Sequence, residues 1–222
     1  MADAVKQTRS YDSPRRREQA QATRLAILDA AERLFLRDGY APTTMAAVAR
    51  EARVALKTLY VAFETKDGIL RALWNLRLRS ESEQLPITGH ASYRAVLDEQ
   101  DPAKQLRLNA RNSRLGKERV GDLAEVIHTA APLDSAIAAL WDRINEEYKD
   151  NQRTIVESIK KKRALARGLD VDHATDILWV LNHPTTWSLL VRRSGWTPDD
   201  YERWTGDSAC AQLLTRPPRQ AR

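Results

Sequence analysis

The stretch from residue 54 to 68 reads VALKTLYVAFETKDG, and it crowds Lys57, Thr58 and Tyr60 together with Lys66 just beyond. All four are hydrogen-bond donors, and two are cationic. The stretch holds too few apolar residues to form a core of its own. Donors grouped in this way suit a polyanion, with phosphate oxygens to neutralise and base edges to read. Taken singly, Lys57 or Lys66 could equally be solvated surface and Tyr60 a packing residue, so the case rests on their grouping.

Catalysis finds no comparable grouping. The sequence has no Gly-rich phosphate loop, no G-x-S-x-G and no H-E-x-x-H. His90, His128, His173 and His183 are scattered. His173 and Asp176 have helical i, i+3 spacing, a weak metal pair better read as a surface contact. Cys210 has no evident activating partner and reads as packing. The expectation is therefore a protein that is not an enzyme and needs no cofactor or metal.

Charge points the same way as the donors. Residues 1–80 hold 15 Lys/Arg and 9 Asp/Glu, which accounts for the whole formal charge of +6, while the remainder has 21 of each. An excess confined to one part suggests that this part alone meets an anionic partner. A chain of 222 residues with 42% hydrophobic content has the composition of a soluble globular protein. No apolar run approaches the ~18 residues of a bilayer span, and the N-terminus lacks the apolar stretch of a secretory signal. One cysteine suits a reducing compartment, so a cytoplasmic protein without a membrane contact is expected.

Helices must position the donors. In residues 23–38, Ile27, Ala30, Ala31, Leu34 and Phe35 form an amphipathic stripe, with Gly39 as C-cap. Thr43 is the expected N-cap of a second helix running to about Ala52, with Met45, Val48 and Ala49 inward. A third helix covers 55–63. On a wheel of ~100° per residue Leu59 and Phe63 lie about 40° apart and face a core, leaving Lys57, Thr58, Tyr60 and Val61 outward. A helix with two inward anchors and a donor-rich outer face fits the major groove. Thr65 should cap a fourth helix, placing Lys66 in its first turn, where free N–H groups already attract phosphate.

The run AAERLFLRDGYAPTTMAAVAREARVALKTLYVAFETKDGILRAL, residues 30–73, resembles the DNA-binding domain of TetR-family transcriptional regulators. Phe35, Gly39-Tyr40, Thr43-Thr44, Val48-Ala49, Val54, Thr58-Leu59-Tyr60, Phe63 and Lys66 carry the likeness. It implies phosphate contacts from Thr44, Thr58, Tyr60 and Lys66, and base reading by Leu56, Lys57 and Val61. Arg53 stands where many relatives have Gly in the turn, and Ala62 where an aromatic or His often precedes the Phe. Arg15-Arg16-Arg17 could be a minor-groove arm or a solubilising tail.

The rest of the chain reads as all-α. Leu70, Leu73 and Leu76 continue the fourth helix, residues 81–102 read as irregular or briefly helical, and helices follow at about 103–115, 120–130 and 134–163. KKKR at 160–163 suits a helix end. A helix over 170–182 is interrupted by Pro184 and resumes to Arg193, and Thr197-Pro198-Asp199-Asp200 starts another. Residues 168–214 resemble the C-terminal end of a TetR-family subgroup in the order LW…P…W…LL…GW. The expected division is a basic tail over 1–22, a helix-turn-helix domain over 23–68, a larger helical effector-binding and dimerisation domain over 69–215, and a tail over 216–222.

The resemblance implies a one-component repressor, binding a near-palindromic double-stranded DNA operator as a homodimer and released by a small-molecule effector. An activator or an effector-independent architectural protein with the same head is the alternative. Trp141, Tyr148, Trp179 and Trp187 are candidate pocket walls, although aromatics at helical spacing can also be plain core. Ile177, Leu178, Leu181, Leu189, Leu190, Leu213 and Leu214 are candidate dimer contacts, with an intramolecular core as the other possibility.

Overall fold

Helix α1 starts earlier than its apolar stripe. In the computed structural model, which describes residues 14–78 and 90–215, α1 spans Pro14–Asp38. Its buried positions are Ile27, Leu28, Ala30, Ala31, Leu34 and Phe35, so the residues before Thr23 are helical without being held by a core. The expected tail over 1–22 is thus corrected for 14–22. Glu, Gln, Ala and Arg are strong helix formers, and Pro14 has the fixed φ that a first helical turn accepts. Arg15–Arg17 form the exposed first turn of α1. Residues 1–13, 79–89 and 216–222 lie outside the described residues, and with them the start of the expected basic tail, most of the irregular stretch expected over 81–102, and the expected C-terminal tail.

Three elements complete the head. Helix α2 spans Met45–Glu51, α3 spans Leu56–Phe63 and α4 spans Lys66–Leu78. The cap of α2 is Thr44, whose hydroxyl accepts from the Ala47 amide at 3.1 Å. Thr43, expected in that role, is buried and donates to the Gly39 carbonyl at 2.8 Å. Two adjacent threonines can each cap, and the one whose hydroxyl is needed to close the preceding turn is lost to the helix. Thr65 does cap α4, accepting from the Gly68 amide at 3.2 Å.

The expected domain boundary after residue 68 does not coincide with a break in packing. Ile69, Leu70, Leu73 and Trp74 of α4 share one apolar cluster with Ile27, Phe35, Leu59 and Phe63 of the head. That cluster runs on into Leu123, Ala124 and Ile127, far down the chain. Arg77 fastens α4 to α1, donating to Glu32 at 2.9 Å and to Asp29 at 2.8 Å.

Beyond residue 90, α5 spans Ala91–Asp98 and α6 spans Pro102–Ala130. Helix α6 is continuous where two helices were expected. Gly116 meets nothing, while a Cβ at Gly121 would lie 3.2 Å from the Trp187 indole nitrogen. Gly in a helix costs ~1 kcal/mol, and at Gly121 it admits a neighbouring ring. Helix α7 spans Ser135–Lys161, capped by Asp134. Helix α8 spans Val171–Asn182, capped by Asp170. A short turn, α9, covers Pro184–Trp187 and leads into a π-helical turn over Ser188–Arg193, and α10 spans Pro198–Leu213 behind a Thr197 cap. A second apolar cluster joins α5, α6, α7, α8 and α10 through Val96, Leu106, Ile155, Ile159, Leu178 and Leu213. Among the described residues the only β-pairing is an isolated bridge between Leu165 and Leu214. The fold class is all-α, as expected.

Candidate nucleic-acid interface and effector region

The outer face of α3 follows from its length. Eight residues make little more than two turns, enough for two anchors. Leu59 is fully buried and Phe63 nearly so, each contributing roughly 1.5–3 kcal/mol of apolar burial. Ala62 is partly buried beside them, and the rest of the helix turns outward: Val61 is 78% exposed, Tyr60 47% and Leu56 41%, and Lys57 and Thr58 are exposed too. Helical spacing places Lys57, Thr58, Tyr60 and Val61 outward, and the structure exposes them together with Leu56.

Both ends of α3 are set by left-handed residues. Arg53, in the turn before it, has φ +56°, and Glu64, which closes it, has φ +58°. Such conformations cost an L-residue ~1–2 kcal/mol and are usually left to Gly. Arg53→Gly should therefore raise stability by about 0.5 kcal/mol in chemical denaturation, the strain relieved exceeding the added chain entropy. A loss of stability would mean that the arginine side chain holds the turn. Helix α1 supplies a clamp that sequence reasoning missed. Arg24 donates to the Ala62 carbonyl at 2.9 Å, and its guanidinium lies 4.1 Å from the Phe63 ring centroid. A guanidinium at the end of a helix meets both free carbonyls and the negative dipole end.

Lys66 and Thr44 sit near this face, but neither is idle. Thr44 is exposed, yet its hydroxyl accepts from the α2 backbone. The Lys66 ammonium donates to the Tyr40 carbonyl at 2.9 Å and the Ala41 carbonyl at 3.3 Å, and lies 4.1 Å from the Tyr40 ring centroid. Burial lowers its pKa, opposed by the nearby Asp134 carboxylate. Lys66 is thus first a brace for the turn between α1 and α2, a role that spacing did not suggest. The Tyr40 hydroxyl in turn donates to Asp134 at 2.9 Å, tying that turn to the cap of α7.

The four aromatics expected around an effector form two groups. Trp141 and Trp179 pack with histidines: His183 lies 5.9 Å from Trp141 and 4.9 Å from Trp179, and His128 lies 5.0 Å from Trp141, between ring centroids. His183 accepts at Nδ1 from the Thr185 amide and pairs at Nε2 with Asn145 Oδ1 at 2.9 Å, which fixes the neutral Nε2–H tautomer. Burial first, then the charges of Lys117 and His128, brings its pKa down to about 4. Tyr148 and Trp187 belong to the second group, with Lys117 and Tyr201. The Tyr148 hydroxyl is within 2.8 Å of the Ser113 hydroxyl and donates to the Asn182 carbonyl at 2.9 Å. Burial pushes its pKa up to about 12. Trp187 stands edge-on to Tyr201 at 5.0 Å.

The candidate dimer residues divide sharply. Leu178, Leu181 and Leu213 are buried within the chain, which corrects their assignment to an outer interface. Ile177 and Leu214 are partly buried against the same cluster. Leu190 is half-buried, whereas Leu189 is 49% exposed, and so is Val180 at 53%, a position the sequence did not single out. A helical apolar pattern marks burial without saying which copy provides the partner. His173 pairs with Asp170 at 2.8 Å rather than with Asp176, which Lys149 holds at 2.6 Å. Among the described residues no group of three His, Cys, Asp or Glu could hold a metal ion, and no helix is long and apolar enough to cross a membrane.

Similarity to known proteins agrees with this geometry. Residues 27–73, from within α1 to within α4, match the family described as bacterial regulatory proteins, tetR family. The HTH-type transcriptional regulator TtgR of Pseudomonas putida is 32% identical over 117 residues, 51% of this chain and 53% of that protein. The chain thus spans about half the length of the curated relatives it matches. Among solved structures, native NalD of Pseudomonas aeruginosa, the secondary repressor of the MexAB-OprM multidrug efflux pump, superposes with a TM-score of 0.67 at 20% identity. That match covers 88% of this chain and 98% of the other. A SmeT–triclosan complex gives a TM-score of 0.63 at 17% identity, covering 88% and 93%. Residues 27–73 thus match the tetR family of bacterial regulatory proteins in sequence, and the helical fold as a whole is matched in shape.

Proposed function

We propose that the chain is a ligand-responsive transcriptional repressor acting in the cytoplasm, binding a near-palindromic operator in double-stranded DNA as a homodimer. The observation that carries this is α3, a short helix with Leu59 and Phe63 inward and an outer face of Leu56, Lys57, Thr58, Tyr60 and Val61. A helix of this kind inserts in the major groove and reads base edges, while flanking donors fix it on phosphates. One such helix makes a small contact, and two on a two-fold axis read successive half-sites. Exposed Val180 and Leu189 support a pairing surface on the C-terminal helices. The names of the relatives support repression and small-molecule release, as with NalD, named a repressor, and SmeT, solved with triclosan.

Selection of bound sites from random duplex DNA tests the proposal. The expected result is two inverted half-sites about one helical turn apart. Recovery of sequences no different from the starting pool would overturn it. The roles of two lysines separate in the same assay. Lys57→Ala should change which half-site is recovered. Lys66→Ala should weaken binding to every sequence and lower the salt slope by about one. Because Lys66 also braces the Tyr40 turn, its variant should lose about 1 kcal/mol of stability as well.

A further inference from the structure

The strongest electrostatic anomaly lies far from α3. Lys117, in the middle of α6, is 5% exposed. Its ammonium donates to the Ser113 hydroxyl, to the Tyr148 hydroxyl at 3.2 Å, and weakly to the Ser113 carbonyl at 3.5 Å. The Tyr148 and Tyr201 ring centroids stand 5.4 and 5.5 Å away. No carboxylate among the described residues pairs with it, and burial alone brings its pKa down to about 7. A buried cation ordinarily has an opposite charge beside it. Here it has two hydroxyls and two aromatic faces.

A second observation comes from the other elements around it. The Trp187 indole N–H is buried and has no hydrogen-bond partner, and the same holds for the Thr205 hydroxyl and the Asn182 Oδ1. Buried polar atoms are almost always paired, so several orphans in one region point to something that pairs them. Each is joined to Lys117 through one intervening residue, Tyr148 or Tyr201. Trp187 packs on Tyr201 and approaches Gly121, one turn along α6 from Lys117. Asn182 adjoins Tyr148, which accepts from Lys117 and donates to the Asn182 carbonyl. Thr205 follows Tyr201 by one turn of α10. The set consists of a cation, an indole N–H, a hydroxyl and one acceptor, and it adjoins the flat walls of Trp141, Trp179 and His183.

We propose that Lys117 anchors an effector site for a small hydroxylated aromatic acid, whose carboxylate pairs with the Lys117 ammonium and accepts from Trp187, and whose hydroxyl donates to Asn182. The proposal rests on the reading that the C-terminal domain takes an effector, and it gives that effector a chemical class. A carboxylate supplies the missing charge, an aromatic ring suits a region lined by Tyr148, Trp187 and Tyr201, and a ligand hydroxyl answers the orphaned Asn182 acceptor. Binding would also restore the full charge of the amine, so it should take up protons near neutral pH.

The test uses the full chain with 4-hydroxybenzoate and its neutral isostere 4-hydroxybenzamide, followed by tryptophan fluorescence and calorimetry at pH 7. The acid should bind at least ten-fold more tightly than the amide. Titrations in buffers of different ionisation enthalpy should show net proton uptake by the complex. Lys117→Met should weaken the acid at least ten-fold without lowering the melting temperature, since it removes an uncompensated cation at similar volume. Trp187→Phe, which keeps the ring and deletes the donor, should weaken it about three- to ten-fold. Equal affinity for acid and amide, unchanged affinity in Lys117→Met, or no binding of the acid at millimolar concentration would each overturn the site. Release of DNA by some other molecule with no acid binding sinks this site and leaves the regulator reading intact. Acid binding without any effect on DNA does the opposite.

Discussion

Leu59→Ala should cost about 3 kcal/mol of stability and abolish binding to the selected operator. The side chain is fully buried in the cluster that joins α1, α2, α3 and α4, and replacing a core leucine by alanine loses its transfer energy and leaves a cavity, typically 2–5 kcal/mol together. Phe63, partly buried Ala62 and the Arg24 clamp would then be left to seat α3. The outer side chains would survive, but their spacing against the groove would not. Denaturant midpoints and DNA titrations check both parts. Val61→Ala is the companion measurement. At 78% exposure it should change stability by less than about 0.5 kcal/mol while still altering the recovered half-site. A Leu59→Ala protein with native stability and affinity would show that α3 is not seated as described.

A second large effect should appear in the pH dependence of stability. Lys117 has its pKa lowered by burial from 10.5 to about 7. Between those values the unfolded chain holds a proton that the folded chain has released, so unfolding takes up a proton and stability rises with pH. Below about 7 both states are charged and this dependence vanishes. The groups around the amine are Tyr148, through its hydroxyl, and Tyr201, through its ring, both raised by burial, and neutral His183, lowered to about 4. None of them titrates between pH 7 and 9.5, so the part of the slope that disappears in a Lys117 variant is the lysine's own. The slope there should approach 1.4 kcal/mol per pH unit, about 3 kcal/mol across the window. Lys117→Met should flatten it. An equal slope in the variant would assign the effect to another group.

Those two residues also mark what the sequence could and could not disclose. Leu59 was legible because a short helix offers few ways to bury two apolar residues four apart, and the donors around them then have one direction left. Lys117 was not, because it sits in a charged-looking run, RLGKERV, and its burial depends on Tyr148 and Tyr201 arriving from two other helices. Lys66 illustrates the same limit. Its place at the start of α4 was read correctly, while its carbonyl partners come from residues 40 and 41. The gap expected over 116–119 begins at Gly116, whose local preference is visible in the sequence, whereas the neighbours that carry α6 straight through it are not. Leu178, Leu181 and Leu213 were identified as apolar faces, but periodicity cannot say whether the covering surface belongs to the same copy.

Helix α6 now carries a meaning beyond packing. Lys117 lies in its middle, and Leu123, Ala124 and Ile127 of the same unbroken rod belong to the cluster that includes α1 and α4. A stiff beam held at both places cannot tilt at one without displacing the other. If the chain acts as proposed, occupancy of the interior would reach the operator as a change in angle between paired heads, with no relay of side-chain flips required.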